Sequence, residues 1–287
     1  MIPNVSEGRS TQKLRALAAA IRKQGGRVLD VHSDPAHNRS VLTVTGNDED
    51  LVNAAGALAQ EAADIDMTAH EGAHPRLGGL DVCPFVPHDD DMGRAVATAH
   101  TAGHLIAMRA GLPVYFYGAA ALRPSAAALP RLRRGGLEGL IRRAENGFVP
   151  DVGPKKIDPA RGVVCVGARG PLIAFNVWLR ADLATARRIA AAVRSSGGGP
   201  PGVRALGLAI DDSLSQVSMN LVEPLVTGID EAFEAVRAAA AGRGAEIHAT
   251  EIVGLVPRRY MPDPDAQAAR LLMAPGRCLD SFLATSS

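Results

Sequence analysis

The chain has 287 residues, of which 47% are hydrophobic and 3% aromatic, and its formal net charge is +1. This length is typical of about two domains with a substantial core, while the balanced charge and scarce aromatic rings argue against nucleic acid as a partner. The three cysteines are few and odd in number, which is typical of a reduced cytoplasmic protein. No apolar run is long enough to span a membrane, and residues 1–10 lack the apolar core of a signal peptide. We therefore expect a cytoplasmic protein without membrane association.

Helix and strand signals alternate through the first part of the chain. A helix is predicted after Ser10, a candidate N-cap, and it ends at the Gly25-Gly26 pair. A second helix is predicted after Asn47, because the next three residues are acids, which are favourable at a helix N-terminus. Strands are predicted at 27–34, 40–46, 82–86 and 113–118, and a third helix is predicted over about 90–110.

The second part of the chain repeats the alternation more clearly. The predicted elements are a strand at 172–179, a helix at 183–195, strands at 203–210 and 215–222, a helix at 229–241 and a strand at 246–253. Thr227 and Asp230 form a candidate capping box for the later helix. The βαββαβ order is the split-βαβ pattern of ferredoxin-like domains. We therefore predict an α/β (α+β) fold of two ferredoxin-like subdomains, residues 1–171 and 172–287, with mostly antiparallel sheets and helices on one face.

The segment from about 119 to 162 is poor in regular pattern. A stretch of this length inside a compact chain is usually functional or disordered. It contains five arginines that we interpret mainly as a solvated helix face, namely Arg131, Arg133, Arg134, Arg142 and Arg143. Lys155 and Lys156 differ from these, because they lie in a Gly/Pro loop ahead of a strand.

Residues His70 to His74 read H-E-G-A-H and so match the zinc-metalloprotease string H-E-x-x-H. Zinc binding by that string requires a helix, which places both imidazoles on one face. Gly72 is unfavourable inside a helix, and Pro75 disfavours helical backbone at His74. We therefore predict a polar loop and no metal cofactor; the alternative without a functional role is a Gly/Pro turn with solvated histidines.

Seven strings carry a resemblance to a known family. They are PNVSEG, HEGAHPRLGGLDVCPF, PVYFYG, PDVGP, GARGPLIAFNVWL, QVSMNL and EIVGLVP. In this order they resemble the formiminotransferase domain, the glutamate formimidoyltransferase family of histidine breakdown, over nearly the whole chain. The separate cyclodeaminase domain of some relatives has no counterpart in these 287 residues. Only Met1 and Ile2 precede the first string, so the strand that relatives form there is expected to be shortened.

The resemblance implies two α/β subdomains whose sheets face each other across a cleft, with helices outside. It implies transfer of a formimino group from N-formimidoyl-L-glutamate to N5 of tetrahydrofolate, which serves as co-substrate in one-carbon metabolism. The expected partners are these small molecules and a second copy of the chain in a homodimer. The catalytic histidine of the family lies in an H-P-R string, so that role falls on His74.

The resemblance also assigns folate binding to one loop. Its residues are Gly153, Pro154, Lys155, Lys156, Ile157, Asp158, Pro159, Ala160, Arg161 and Gly162. Four of them depart from the family's pattern and are specific to this chain, namely Lys155, Lys156, Asp158 and Arg161.

The residue chemistry suits such a transfer. A histidine titrates near neutral pH, so His74 can accept one proton and deliver another. The substrates carry several carboxylates, which arginine binds through paired, charge-assisted hydrogen bonds. Arg39, Arg76 and Arg169 lie in polar turns beside predicted strands and are candidates for this role, with exposed arginine as the alternative. Asn38 is a candidate hydrogen-bond donor to substrate.

Asp81 stands at the entrance of a predicted strand, close in sequence to His74. It is a candidate to orient the His74 imidazole, as carboxylates do in other enzymes. Two further functions remain open. One is a different one-carbon transfer from a formyl or formimino amino acid, and the other is a folate- or amino-acid-binding module without catalysis.

Overall fold

The computed structural model describes residues 1–72 and 75–284. The chain folds as two compact units, residues 1–170 and 171–287. Each unit begins with the same order of elements, strand, helix, strand, strand, helix, strand. None of the described helices is both long and apolar enough to cross a membrane.

The first unit is built on a six-stranded sheet. Its strands are β1 (Asn4–Val5), β2 (Arg27–Asp34), β3 (Arg39–Thr45), β4 (Leu80–Phe85), β5 (Val114–Gly118) and β6 (Val164–Ala168). Its helices are α1 (Thr11–Arg22), α2 (Asp48–Ala62), α3 (Met92–Ala110), α4 (Leu129–Leu132) and α5 (Gly136–Glu145). The strand order is β2-β3-β1-β4-β6-β5, in which β6 pairs in parallel with β4 and β5 and the other pairs are antiparallel.

The second unit is built on a four-stranded sheet. Its elements are β7 (Ile173–Arg180), α6 (Leu183–Val193), β8 (Val203–Ala209), β9 (Ser215–Leu221), α7 (Ile229–Ala241), β10 (Glu246–Val253), α8 (Gln267–Arg270) and α9 (Leu279–Ala284). The strand order is β10-β7-β9-β8, and all pairs are antiparallel. Strands β4-β1-β3-β2 of the first unit have the same arrangement. Both units therefore carry the split-βαβ order, which confirms the predicted fold class.

Local sequence signals account for the start of the first two helices. The Ser10 hydroxyl accepts a hydrogen bond from the backbone of Lys13 at 3.2 Å. The Asn47 amide oxygen accepts one from the backbone of Asp50 at 2.8 Å. Each cap satisfies an N–H that the helix itself leaves without a partner. The predicted cap at Ser10 is therefore confirmed, and Asn47 caps the second helix in the same way.

The first strand is two residues long, but the chain before it also contributes to the sheet. Ile2 donates to the Pro84 carbonyl at 2.9 Å, and Val44 donates to the Met1 carbonyl at 3.0 Å. These bonds link the residues before β1 to both neighbouring strands. The start of the chain is thereby held beside β3 and β4.

The predicted capping box of α7 is wrong in its residues. The Thr227 hydroxyl donates to the Pro201 carbonyl at 2.7 Å instead of capping the helix. The helix is capped one residue later, because the Glu231 carboxylate accepts from the Gly228 backbone at 3.0 Å. The Thr227 hydroxyl therefore makes a long-range hydrogen bond instead of a local capping bond.

The prediction of a segment poor in regular structure between 119 and 162 also needs correction, since α4 and α5 lie there. Leu132 and Leu140 of these helices share a buried cluster with Val82, Tyr115 and Cys165 of the parallel end of the sheet. The opposite face of the same sheet is packed against α1, α2 and α3. Helices thus cover both faces at this end, as parallel strands require.

Candidate active site

Asn38 connects three loops of the first unit. It adopts the left-handed region, with φ of 47°, which asparagine tolerates better than most residues. Its side-chain oxygen accepts from the Gly8 backbone at 3.0 Å, and its amide nitrogen donates to the Glu71 carbonyl at 2.9 Å. The PNVSEG segment, the turn before β3 and the histidine loop are therefore held together by one buried side chain.

The histidine loop, residues 70–76, has irregular backbone at 70–72 and at 75–76. The helix that zinc binding would need is therefore absent at 70–72. Gly72 lies so close to the His37 carbonyl that a Cβ there would be 2.3 Å from it. Ala73 and His74 lie outside the described residues, so the predicted role of His74 stays a prediction.

His70 and Arg76 contact each other within this loop. Burial lowers the pKa of His70, and the neighbouring Arg76 lowers it further. The Arg76 guanidinium also donates to the His37 carbonyl at 3.4 Å. Arg76 is therefore a half-buried cation with several contacts, two residues after His74 in the sequence.

Asp81 lies at the base of the histidine loop and is 1% exposed. One carboxylate oxygen accepts from the Leu77 backbone at 2.9 Å. The other oxygen contacts Arg133 and lies 3.6 Å from the Arg39 guanidinium. The described contacts of Asp81 thus hold the loop three residues after His74, while its proposed contact with the imidazole is untested.

Arg39 begins β3 and is held on two sides. Its Nε donates to the Asn4 side-chain oxygen at 3.1 Å, in addition to the contact with Asp81. Burial lowers the pKa of Arg39 to about 10, Asp81 raises it, and Arg133 and Arg76 lower it further. A guanidinium with that pKa remains charged at neutral pH.

Arg169 follows β6 and lies beside Tyr117. It donates to the Gly170 carbonyl at 2.9 Å and shares a hydrogen bond with Tyr117. Burial lowers the pKa of Arg169, whereas Tyr117 raises it. Burial raises the pKa of Tyr117 to about 12, so this phenol stays protonated at neutral pH; Arg169 and Arg133 act in the opposite direction.

The loop predicted to bind folate is anchored at both ends. At its start, the Val114 backbone donates to the Val152 carbonyl at 2.9 Å, and Asp151 accepts from the Phe116 backbone at 2.8 Å. At its end, Gly162 forms a bridge with Gly78. The loop therefore leaves the edge of β5 and returns to the base of the histidine loop.

Both anchors of this loop are glycines whose backbone disfavours other residues. Gly153 and Gly162 have φ of 85° and 67°. A Cβ at Gly153 would lie 2.6 Å from the Leu112 carbonyl, and one at Gly162 would lie 2.1 Å from the Leu77 carbonyl. Such conformations and contacts favour glycine.

Between the anchors the loop contains both buried and exposed side chains. Ile157 is buried in the cluster with Tyr115 and Leu77. Arg161 donates to the Ala110 carbonyl at 2.5 Å, so this side chain is a structural tie to the end of α3. Lys155 and Lys156 are exposed and make no ion pair within the described part of the chain. Two exposed ammonium groups therefore lie between the two anchored ends of this loop, where an anionic ligand could contact them.

The described residues bring Arg39, Arg76, Asn38 and Asp81 to the histidine loop, with Arg169 connected through Tyr117. Sequence reasoning missed Arg133, because its place among four other arginines resembled a solvated face. No local pattern distinguishes it, since Arg133 and Asp81 are 52 residues apart.

A second polar network, also missed, lies in the second unit. The Glu251 carboxylate accepts from Asn176 at 2.8 Å, from Gln216 at 3.4 Å and from Trp178 at 3.5 Å. Side chains alternate along β7, and Phe175 belongs to the core beside α6 and α7. Asn176 and Trp178 therefore point to the face of the sheet opposite these helices.

Comparison with known proteins identifies the family to which this fold and this loop belong. Residues 1–169 match the family model described as "Formiminotransferase domain, N-terminal subdomain". Residues 174–270 match the family model described as "Formiminotransferase domain". Together these matches span most of both units. The chain belongs to the formiminotransferase domain family.

Individual members of this family are similar to the chain over most of its length. The chain is 38% identical to a glutamate formimidoyltransferase of Streptococcus pyogenes, covering 91% of this chain and 90% of the relative. It is 39% identical to a glutamate formimidoyltransferase of Thermoplasma acidophilum, covering 91% and 89%. A formimidoyltransferase-cyclodeaminase of Sus scrofa is 39% identical, and there the chain spans 51% of the relative's length.

Proposed function

We propose that the chain is a glutamate formimidoyltransferase, which transfers the formimino group of N-formimidoyl-L-glutamate to N5 of tetrahydrofolate. The observation that carries the proposal is the similarity to stand-alone enzymes of that name over about nine-tenths of both chains, 91% and 90% for the streptococcal relative. The arginines around the histidine loop support it, because both substrates carry carboxylates that guanidinium groups bind.

The proposed reaction needs one group that moves protons. The N5 amine of tetrahydrofolate attacks the amidine carbon and gives a tetrahedral intermediate. His74 accepts the proton that N5 loses, and it returns a proton to the amine of glutamate as the carbon–nitrogen bond to glutamate breaks. The products are 5-formiminotetrahydrofolate and L-glutamate, and no redox step or metal is involved.

The loop from Gly153 to Gly162 is the proposed folate segment. Its exposed Lys155 and Lys156 suit the carboxylates of the folate tail, while its two glycine anchors suit a loop of defined shape. Arg161 has a structural role through the Ala110 carbonyl, so we assign the tail contacts to the lysines and not to Arg161.

The function is tested by turnover of purified protein with tetrahydrofolate and a panel of donors. The panel contains N-formimidoyl-L-glutamate, N-formyl-L-glutamate and other formimino amino acids, and formation of the one-carbon-substituted folate is followed. We expect the highest kcat/KM with N-formimidoyl-L-glutamate. Faster turnover of another donor would select the alternative transferase, and folate binding without any turnover would select the binding module.

We further propose that the protein is a cytoplasmic homodimer and that its functional halves divide near residue 171. Sedimentation velocity on the purified chain tests the dimer, with a single species of two-chain mass as the expected result. Fractionation of the source cells tests the location. Separate expression of residues 1–171 and 172–287 tests whether each half folds on its own.

A further inference from the structure

Three residues at the base of the histidine loop form what we call the Asp81 cluster, which consists of Arg39, Asp81 and Arg133. The side chains of Arg39 and Arg133 are 15% and 16% exposed, and that of Asp81 is 1% exposed. Both guanidinium groups approach the same carboxylate oxygen. The cluster therefore contains two largely buried positive charges and one buried negative charge.

An excess of buried positive charge is unfavourable unless an anion or solvent balances it. The partly buried ion pair between Arg123 and Asp151 in the same unit lacks this excess, because one guanidinium meets one carboxylate at 2.9 Å. Arg123 and Arg133 each have a buried Nε without a hydrogen-bond partner among the described residues. Both ion pairs thus contain an arginine with an unpaired Nε. The Asp81 cluster differs from the Arg123–Asp151 pair because it has two guanidinium groups for one carboxylate.

Arg133 has the greater capacity to take a ligand. Arg39 is already engaged by Asn4 as well as by Asp81. The only side-chain hydrogen bond of Arg133 with described residues goes to Asp81, although a guanidinium carries five N–H donors in a planar fork. The remaining donors suit the two oxygens of a carboxylate, which arginine binds with paired hydrogen bonds.

The position of the Asp81 cluster at the base of the histidine loop indicates which substrate it would bind. Asp81 also fixes the Leu77 backbone at 2.9 Å, three residues after His74. An anion held by Arg133 would thus lie at the base of the loop that carries the proposed acid–base group. The amino-acid donor must approach that group, whereas the folate tail has two exposed lysines at another loop.

We propose that Arg133, supported by Arg39, binds a carboxylate of the amino-acid donor and so determines specificity for an acidic donor. The identity of the donor rests on the proposed function, but the binding of a carboxylate at Arg133 does not. Asp81 holds the fork of Arg133 in place and fixes the loop through Leu77, which makes it a positioning residue.

The test compares Arg133→Gln, which removes the charge, with Arg133→Lys, which keeps the charge and loses the planar fork. Arg134→Gln is the matched control, because Arg134 is exposed and its hydrogen bonds with described residues are made by its backbone. We expect Arg133→Gln to raise the donor KM by about tenfold to a hundredfold, the usual effect of losing a charged hydrogen bond, with the tetrahydrofolate KM unchanged. Arg133→Lys should recover part of that loss.

Two truncated donors identify the carboxylate. N-formimidoyl-L-glutamine lacks the side-chain carboxylate, and N-formimidoyl-4-aminobutyrate lacks the α-carboxylate. Parent and Arg133→Gln should differ little with the donor that lacks the carboxylate bound by Arg133. If the ratio of parent to variant kcat/KM is the same for all three donors, Arg133 does not recognise a carboxylate and the proposal is wrong.

A binding measurement separates this proposal from the proposed function. Calorimetry with glutarate, a dicarboxylate that cannot react, should show weaker binding to Arg133→Gln than to the parent and to Arg134→Gln. Loss of glutarate binding would support the carboxylate site even if the parent fails to turn over N-formimidoyl-L-glutamate. A lower Tm with unchanged donor KM and glutarate affinity in both Arg133 variants would reduce the cluster to a structural ion pair and overturn the proposal.

Discussion

His70 and His74 are four residues apart, yet the structure gives His70 a role of its own. His70 contacts the Arg76 guanidinium, and burial together with Arg76 lowers its pKa. A histidine with a lowered pKa is mostly neutral near pH 7 and accepts a proton less readily there. His70 is therefore suited to ordering the loop, and the acid–base role proposed for His74 stays a prediction.

His74→Ala should lower kcat by about 10²–10⁴-fold, the usual contribution of a positioned acid–base group. The KM values should change little, because we propose that other residues bind the carboxylates of the substrates. The kcat profile of the parent should contain an ionisation near neutral pH that disappears in this variant.

His70→Ala is the control for this experiment, since it lies in the same loop and should keep the neutral ionisation. Folate-analogue binding measured by calorimetry separates lost chemistry from lost folding. Near-parent kcat in His74→Ala with N-formimidoyl-L-glutamate would remove His74 from the proton-transfer step.

We expect Glu251 to contribute to the stability of the second unit. It accepts hydrogen bonds from Asn176 and Gln216, which are 4% and 0% exposed. Glu251→Ala leaves these buried amides without that acceptor, so we expect a loss of about 1–3 kcal/mol in the free energy of unfolding. Urea denaturation measures the change.

Glu246→Ala is the matched control on the same strand. Glu246 is exposed and lies 3.9 Å from Arg180, and such surface pairs contribute at most about 1 kcal/mol. Equal destabilisation by the two substitutions would show that the Glu251 network adds nothing beyond strand composition.

At the scale of elements, different residues of the loop from 153 to 162 determine its backbone shape and its available charge. Its shape comes from its ends, where Gly153 and Gly162 pack against the Leu112 and Leu77 carbonyls. Its available charge comes from Lys155 and Lys156, which are exposed between them. Substitutions at the lysines should therefore affect ligand binding without disturbing the fold.

Lys155→Ala combined with Lys156→Ala should raise the tetrahydrofolate KM and leave kcat nearly intact, which is the pattern of lost uniform binding. Polyglutamylated folate should be affected more than the monoglutamate, and added salt should reduce the difference, because exposed charges are screened. Steady-state kinetics at low and high ionic strength measure both effects.

Arg22→Ala combined with Lys23→Ala removes the same charge from exposed positions at the end of α1 and serves as control. If the two double variants have the same folate KM, the lysines of the loop make no specific contact with folate. In that case the loop would contribute its shape alone.

At the scale of the whole molecule, the H-E-x-x-H string gives a prediction about metal. Residues 70–72 are not helical, and no group of three or more metal-ligating side chains converges among the residues at 1–72 and 75–284. Dialysis against a chelator should therefore leave activity unchanged. Elemental analysis should find no stoichiometric zinc.

A zinc metalloenzyme carried through the same dialysis is the control for chelator strength. One tightly held zinc per chain, with activity lost on its removal and restored on its return, would contradict this prediction. It would also require His74 to act as a ligand instead of an acid–base group.

The repeated fold shows how much of the secondary structure could be predicted from the periodicity of apolar residues alone. The second unit could be predicted almost element by element, since each predicted strand and helix from 172 to 253 has a counterpart in the structure. Its strands alternate and its helices have regular apolar spacing, which are short-range signals. The bounds of the two short helices between 119 and 162 were not predicted, because α4 has only 4 residues and α5 includes two glycines and two arginines.

The sequence by itself determined the βαββαβ order of each unit, the cap at Ser10, and the family. These depend on neighbours within a few residues or on strings that can be read directly. Only the tertiary structure decided that Arg133 joins Arg39 at Asp81, and that Asn176 and Gln216 join at Glu251. The partners in these networks are separated by 52 residues for Arg133 and Asp81 and by 75 for Asn176 and Glu251. A buried polar group takes whichever partner the packed sheet brings within reach, and no local pattern encodes that choice.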